Sequence, residues 1–143
     1  MPARLIFLVY IASILMASTA YLPFLPPHPH THIILASQSP RRSSILQTMG
    51  LPPASFTVVV SPFDEDDSDF RSLKTRVSSS EYVKTSASNK ASAVVELYRG
   101  GERELPSPAT RGVVIGADTV VELGGKVLEK PKSEEEARGM LRR

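Results

Sequence analysis

Three short apolar runs punctuate the chain: residues 33–36 (IILA), 56–60 (FTVVV) and 113–117 (VVIGA). Each is too short for a stable helix and carries β-branched residues, so each predicts a buried strand. Between the first two, Ile45, Leu46 and Met49 recur at helical spacing. Ser39 stands at the N-cap and Pro40 at the first helical position, while Gly50, Pro52 and Pro53 bar continuation. Residues 81–98 predict a longer helix whose apolar positions are Tyr82, Ala87, Ala91, Val94, Val95 and Tyr98, with Lys84 and Lys90 as polar positions. Residues 120–123 and 126–128 flank Gly124-Gly125, a hairpin signal. Ser133 and Glu136 form a Ser-x-x-Glu capping box that opens a last helix with Ala137, Met140 and Leu141. Residues 61–80 and 100–112 read as polar loops. Strand and helix alternate, so the fold class is α/β.

A further apolar run, residues 5–20 (LIFLVYIASILMASTA), follows Arg4, and no other charged residue precedes Arg41. With Ser18 and Ala20 it reads as a secretory signal peptide. Extended to Leu25 it reaches the length of a membrane anchor, and a wrongly chosen start codon is the third reading. Residues 23–32 (PFLPPHPHTH) form a proline-rich linker in which His28, His30 and His32 alternate. Metal binding by them competes with a solvated linker, and the lack of a nearby carboxylate or cysteine favours the linker. The division expected is therefore 1–32 for the apolar segment and linker, and 33–143 for the folded part.

A chain of 143 residues that is 41% hydrophobic fits one domain with a real core. A net charge of +2 gives no argument for a nucleic-acid partner. The absence of cysteine excludes disulfides, thiolate metal sites and a cysteine nucleophile. The three histidines all sit in the linker, so no Ser/His/Asp set is available. No Gly-rich loop ending in Gly-Lys-Ser/Thr is present.

Arg41 and Arg42 follow Pro40 directly, on the first turn of a helix whose N-terminus is already electropositive. Unbound, each such charge costs about 0.3–1 kcal/mol. A polyphosphate reverses the sign, because guanidinium groups bind phosphate bidentately and the helix end offers free N–H groups. Ser37 and Ser39 add hydroxyl donors. The competing reading is two surface arginines reaching into water. Asp118 ends an apolar strand and is followed by Thr119. A carboxylate beyond a strand's carboxyl end can hold Mg2+ or activate water, or can simply be a turn residue. Lys130, between Glu129 and Pro131, is a candidate phosphate cation. The acidic run Asp64, Glu65, Asp66, Asp67 and Asp69 offers Mg2+ ligands or a solvated loop. Lys90 is a further candidate on its helix.

ILASQSPRR (34–42), DE (64–65), YVKTSASNKA (82–91), VIGADTVV (114–121) and VLEKP (127–131), in this order, resemble Maf-like proteins, the nucleoside triphosphate pyrophosphatases once called septum formation inhibitors. The resemblance runs over residues 33–143. It implies a Maf/inosine-triphosphatase-like sheet flanked by helices around a nucleotide cleft. It also implies hydrolysis of a nucleoside triphosphate to monophosphate and pyrophosphate with a divalent metal, Mg2+ or Mn2+. Carried over by motif, substrate binding falls on Ser37, Ser39, Arg41, Arg42, Lys90, Thr119 and Lys130, catalysis on Asp118, and the metal on Glu65 and Asp118. Arg41 after Ser-Pro and Thr119 after the aspartate resemble the dTTP/UTP branch rather than the 7-methyl-GTP branch. The resemblance further implies a cytoplasmic homodimer, against which residues 5–25 set the expectation of a membrane contact or secretion. Residues 68–80 and 100–110 look longer than a minimal member needs and read as surface insertions. The chain stops just past the KP motif, with the C-terminal half of the family domain expected to be missing. A truncated, non-catalytic nucleotide-binding or interaction module is therefore the alternative expectation.

Overall fold

Apolar strands connected by helices need cover on both faces, the condition under which a parallel sheet forms. The computed structural model describes Ile6–Phe7 and residues 30–123, 126–128, 131 and 133–141. The rest of the 1–29 segment, with its signal or anchor readings and His28, lies outside the described residues, as does Lys130. Strands β1 (Ile6–Phe7), β2 (Thr31–Ala36), β3 (Phe56–Val59) and β4 (Arg111–Gly116) form a parallel sheet in the order β1-β4-β2-β3. Helix α1 (Pro40–Thr48) joins β2 to β3. Helices α2 (Ser68–Ser72) and α3 (Ser79–Arg99) lie between β3 and β4. Strands β5 (Val121–Leu123) and β6 (Lys126–Leu128) pair antiparallel, as the Gly-Gly signal predicts, and α4 (Glu134–Leu141) follows.

The chain steps from β2 to β3 through α1, then crosses back to β4 through α3. Right-handed crossovers taken in opposite directions put their helices on opposite faces of the sheet. The core divides accordingly. Ile33, Leu35 and Phe56 pack with Leu46 of α1, while Ile34, Ala36, Val59 and Val114 pack with Ala91, Val94 and Val95 of α3. Burial of Val94 and Val95, both fully enclosed, contributes about 1.5–3 kcal/mol each. Strand order reverses at β2, so the carboxyl ends of β2, β3 and β4 open on one crevice.

The helix ends follow from their sequence. After α1, Gly50 adopts a φ of 94° and donates to the Gln47 carbonyl, while Leu51 N donates to the Leu46 carbonyl. This is the Schellman closure that only glycine makes without strain. Ser78 and Glu81 form a reciprocal capping box at the start of α3. Ser133 Oγ accepts from Glu136 N at the start of α4.

The structure alters several expectations. Strand β2 starts at Thr31 rather than residue 33, because its ladder to β4 begins at Thr31–Arg111. His32 therefore sits in the sheet, with Nε2 2.7 Å from Thr57 Oγ1, and burial lowers its pKa. His32 thus departs from the solvated-linker expectation, whereas His30 is exposed, with Nδ1 3.3 Å from the Pro108 carbonyl oxygen. Residues 68–80 lie largely at the surface, yet they are not plain loop, since they carry α2 and the buried Phe70. The 100–110 loop likewise lays Leu105 against the core on the α3 side. Among the described residues, no helix is long and apolar enough to cross a membrane.

Candidate functional site

The parallel sheet delivers three chain segments to one crevice. From β2 comes Ser37, buried, whose amide donates to the Val59 carbonyl at 3.1 Å and so ties the ends of β2 and β3 together. Its hydroxyl oxygen accepts from Ser39 N and from Arg42 Nη1, each at 3.1 Å. Ser39 holds the N-cap position of α1, yet its own hydroxyl caps nothing, and the first turn has no acidic residue. The electropositive end of α1 is thus left available to an anion.

From β4 come Asp118 and Thr119. Gly116 makes their position possible: a Cβ there would run into the Ala87 carbonyl oxygen and sit 2.9 Å from the Ala91 methyl. The α3 backbone therefore lies directly on the strand end, and Lys90 reaches Asp118. Lys90 Nζ donates to Asp118 Oδ1 at 3.1 Å. Arg42 Nη2 lies 3.7 Å from the same Asp118 oxygen and donates to Thr119 Oγ1 at 3.4 Å.

From the segment after β3 comes Glu65, whose Oε1 is 3.0 Å from Lys90 Nζ. Three of the other four acids of the run are engaged elsewhere. Asp64 accepts from Asp66 N, Asp66 pairs with Arg71, and Asp67 caps α2 through Asp69 N and Phe70 N. Lys90 is 7% exposed, so it is a buried ammonium held between two carboxylates rather than a solvated helix position.

Ser37, Arg42, Glu65, Lys90, Asp118 and Thr119 thus meet in one network, with Ser39 joined through its amide. Arg41 is exposed and pairs with no acid among the described residues. Lys130 lies outside them. On the α3 stripe that carries Lys90, Ser86 at i−4 escaped the sequence reading, and Tyr82 at i−8 was read only as an apolar helix position. Both are buried. Burial raises the Tyr82 phenol, Lys74 opposes this, and the charges of Asp118 and Glu65 raise it further. The fourfold spacing of Tyr82, Ser86 and Lys90 was the signal that could have linked them.

Among the described residues, no three His, Cys, Asp or Glu side chains cluster as a metal site. Two carboxylates do converge, with the ammonium between them. One or two carboxylates supplemented by phosphate oxygens and water are how Mg2+ is held beside a nucleotide. Glu65 and Asp118 therefore fit a hard divalent cation that arrives with its phosphates.

Comparison with known proteins matches the chain to a family. A family model described as "Maf-like protein" matches residues 32–143. A protein of Desulforamulus reducens named "dTTP/UTP pyrophosphatase" is 45% identical over 109 residues, covering 76% of this chain and 47% of the relative. A protein of the same name from Clostridium perfringens shows the same identity and coverage. One from Nitratidesulfovibrio vulgaris is 37% identical over 121 residues, covering 85% of this chain and 47% of the relative. The chain spans about half the length of these curated relatives.

Proposed function

We propose a function from one premise: the chain belongs to the Maf-like protein family. The reading is hydrolysis of a nucleoside triphosphate to the monophosphate and pyrophosphate, with a pyrimidine nucleotide, dTTP or UTP, as substrate. The names of the relatives supply the substrate class. The observation that carries the chemistry is the buried Lys90 ammonium between Asp118 and Glu65, beside Arg42, at the mouth of the uncapped α1.

The residues divide the reaction between them. Water attacks the α-phosphorus, a new P–O bond forms, the bond to the bridging α–β oxygen breaks, and pyrophosphate leaves with the electron pair. Arg41, Arg42, Ser37, Ser39 and the α1 N-terminus bind the phosphate chain and the charge that builds on it. Lys90 adds a buried positive charge where water screens it least. Asp118 orients the attacking water or takes its proton. Glu65 and Asp118 would hold the divalent cation, which supplies charge neutralisation when bound. Thr119, hydrogen-bonded to Arg42, fixes the side from which the guanidinium is presented. Lys130 is the remaining phosphate cation on this reading, and the cytoplasm, where these nucleotides are made and used, is its setting.

The test is pyrophosphate release from dTTP and UTP with Mg2+ present. Asp118→Asn is expected to lower turnover at least about 100-fold with an unchanged circular dichroism spectrum. Turnover at the original rate removes Asp118 from the chemistry. Nucleotide binding without any turnover by the unmutated chain replaces the hydrolase with the binding-module reading.

A further inference from the structure

We infer that an aromatic clip formed by Phe63, Phe70 and Tyr82 positions Glu65 opposite Lys90, which makes Phe70 and Tyr82 positioning residues for the cation side of the site. The bearing of the clip on turnover rests on the hydrolase reading above, whereas the clip itself does not.

Glu65 is 49% exposed at its side chain, so packing of its own cannot hold it at 3.0 Å from a buried ammonium. Its flanks hold it instead. On one side Ser61 Oγ donates to the Lys90 carbonyl at 2.9 Å and accepts from Phe63 N at 3.2 Å, which pins the loop to the backbone of the residue Glu65 must reach. On the other side Asp67 caps α2 through Asp69 N and Phe70 N, which fixes where Phe70 enters the core. The rings then close the loop onto α3. Phe63 meets Phe70 edge to face at 4.9 Å between centroids, and Phe70 stacks on Tyr82 at 5.0 Å. Such contacts are worth about 0.5–1.5 kcal/mol each beyond their buried area. Tyr82 lies two turns from Lys90 on α3 and is buried, so it gives the stack a rigid base. Lys74 Nζ, 5.6 Å from the Tyr82 ring centroid, covers that ring. Glu65 is thus strung between two anchors that both refer back to α3.

The test is the thermodynamic coupling between Glu65 and Lys90, read from urea unfolding of the Glu65→Gln, Lys90→Met and double variants, in the native background and again with Phe70→Ala. In the native background the pair is expected to couple by about fivefold in the folding equilibrium constant. With Phe70→Ala the coupling is expected to fall below about twofold. Tyr82→Phe, which keeps the ring, retains it. Where Phe70→Ala does not fold, Phe63→Leu takes its place, since it breaks the edge-to-face contact and leaves the α3 core intact. A coupling undiminished in these backgrounds overturns the clip. Hydrolysis does not enter this readout, so a lost clip leaves the Asp118 chemistry standing, and a failed Asp118→Asn test leaves the clip standing.

Discussion

Among the described residues, Ser86 Oγ is the buried side-chain polar atom left without a hydrogen-bond partner. A buried unpaired hydroxyl costs free energy that a methyl group does not. Ser86→Ala is therefore expected to stabilise the fold by about 1 kcal/mol, a rise of roughly 3 °C in the unfolding midpoint. Differential scanning calorimetry checks it, and a lowered midpoint would mean that the hydroxyl is paired in solution. The residues of the site itself were unevenly legible. Ser37, Arg42 and Asp118 announce themselves by position, after a strand or on the first turn of a helix, where chemistry constrains the residue type. Glu65 does not, because it stands among acids of the same charge and reach, and only its neighbours' engagements leave it for Lys90. Lys90 reads as a polar helix position in the one-dimensional pattern. Its burial follows from Gly116 and from the distant acids, which helical periodicity does not record.

Helix α3 carries the site's lysine, and two features hold it in place. Its capping box depresses the pKa of Glu81 below the ordinary 4.5, first through the Ser78 hydroxyl and then through the Ser78 amide. A carboxylate with a depressed folded-state pKa gives stability that is full above its unfolded value and is lost as pH falls through the folded value. Urea midpoints are thus expected to drop below about pH 4.5, and Glu81→Gln is expected to flatten part of that slope. An identical slope in the variant would exclude the box as its source. The second feature is the contact of α3 with the end of β4. Gly116→Ala drives a methyl group into backbone, so it is expected to cost about 3 kcal/mol or more, seen as a lower unfolding midpoint together with weakened nucleotide binding. A variant of unchanged stability would mean that α3 shifts freely, contrary to the packing of Ala87 and Ala91. The long elements were legible because α3 repeats its apolar positions over 21 residues and β2, β3 and β4 are β-branched. Helix α2 was not, because five residues with one buried side chain leave no period to detect. His32 was hidden for another reason: the prolines before it set the local composition, while its strand character comes from pairing with Gly112 of β4 and its contact with Thr57 of β3.

At the scale of the molecule, the site belongs to no single element. Its groups come from the β2–α1 turn, the segment after β3, helix α3 and the end of β4, which are brought together only by the strand order β4-β2-β3. Such a crevice exists in the folded chain and vanishes in the unfolded one. A ligand that bridges it stabilises the whole fold by mass action, by about 2.7 kcal/mol at one hundred times its dissociation constant. UTP with Mg2+ is therefore expected to raise the unfolding midpoint by roughly 5–10 °C at that saturation. Lys90→Met removes the charge that links Asp118 to Glu65, so the ligand-induced rise is expected to fall to less than half in that variant, even though the variant's own midpoint has changed. The comparison is made within each protein, with and without nucleotide, which separates loss of stability from loss of binding. Because the site's attraction is electrostatic, the rise is also expected to shrink as salt increases. An equal rise in the native and Lys90→Met proteins would place the nucleotide outside the crevice, and with it the proposed reaction.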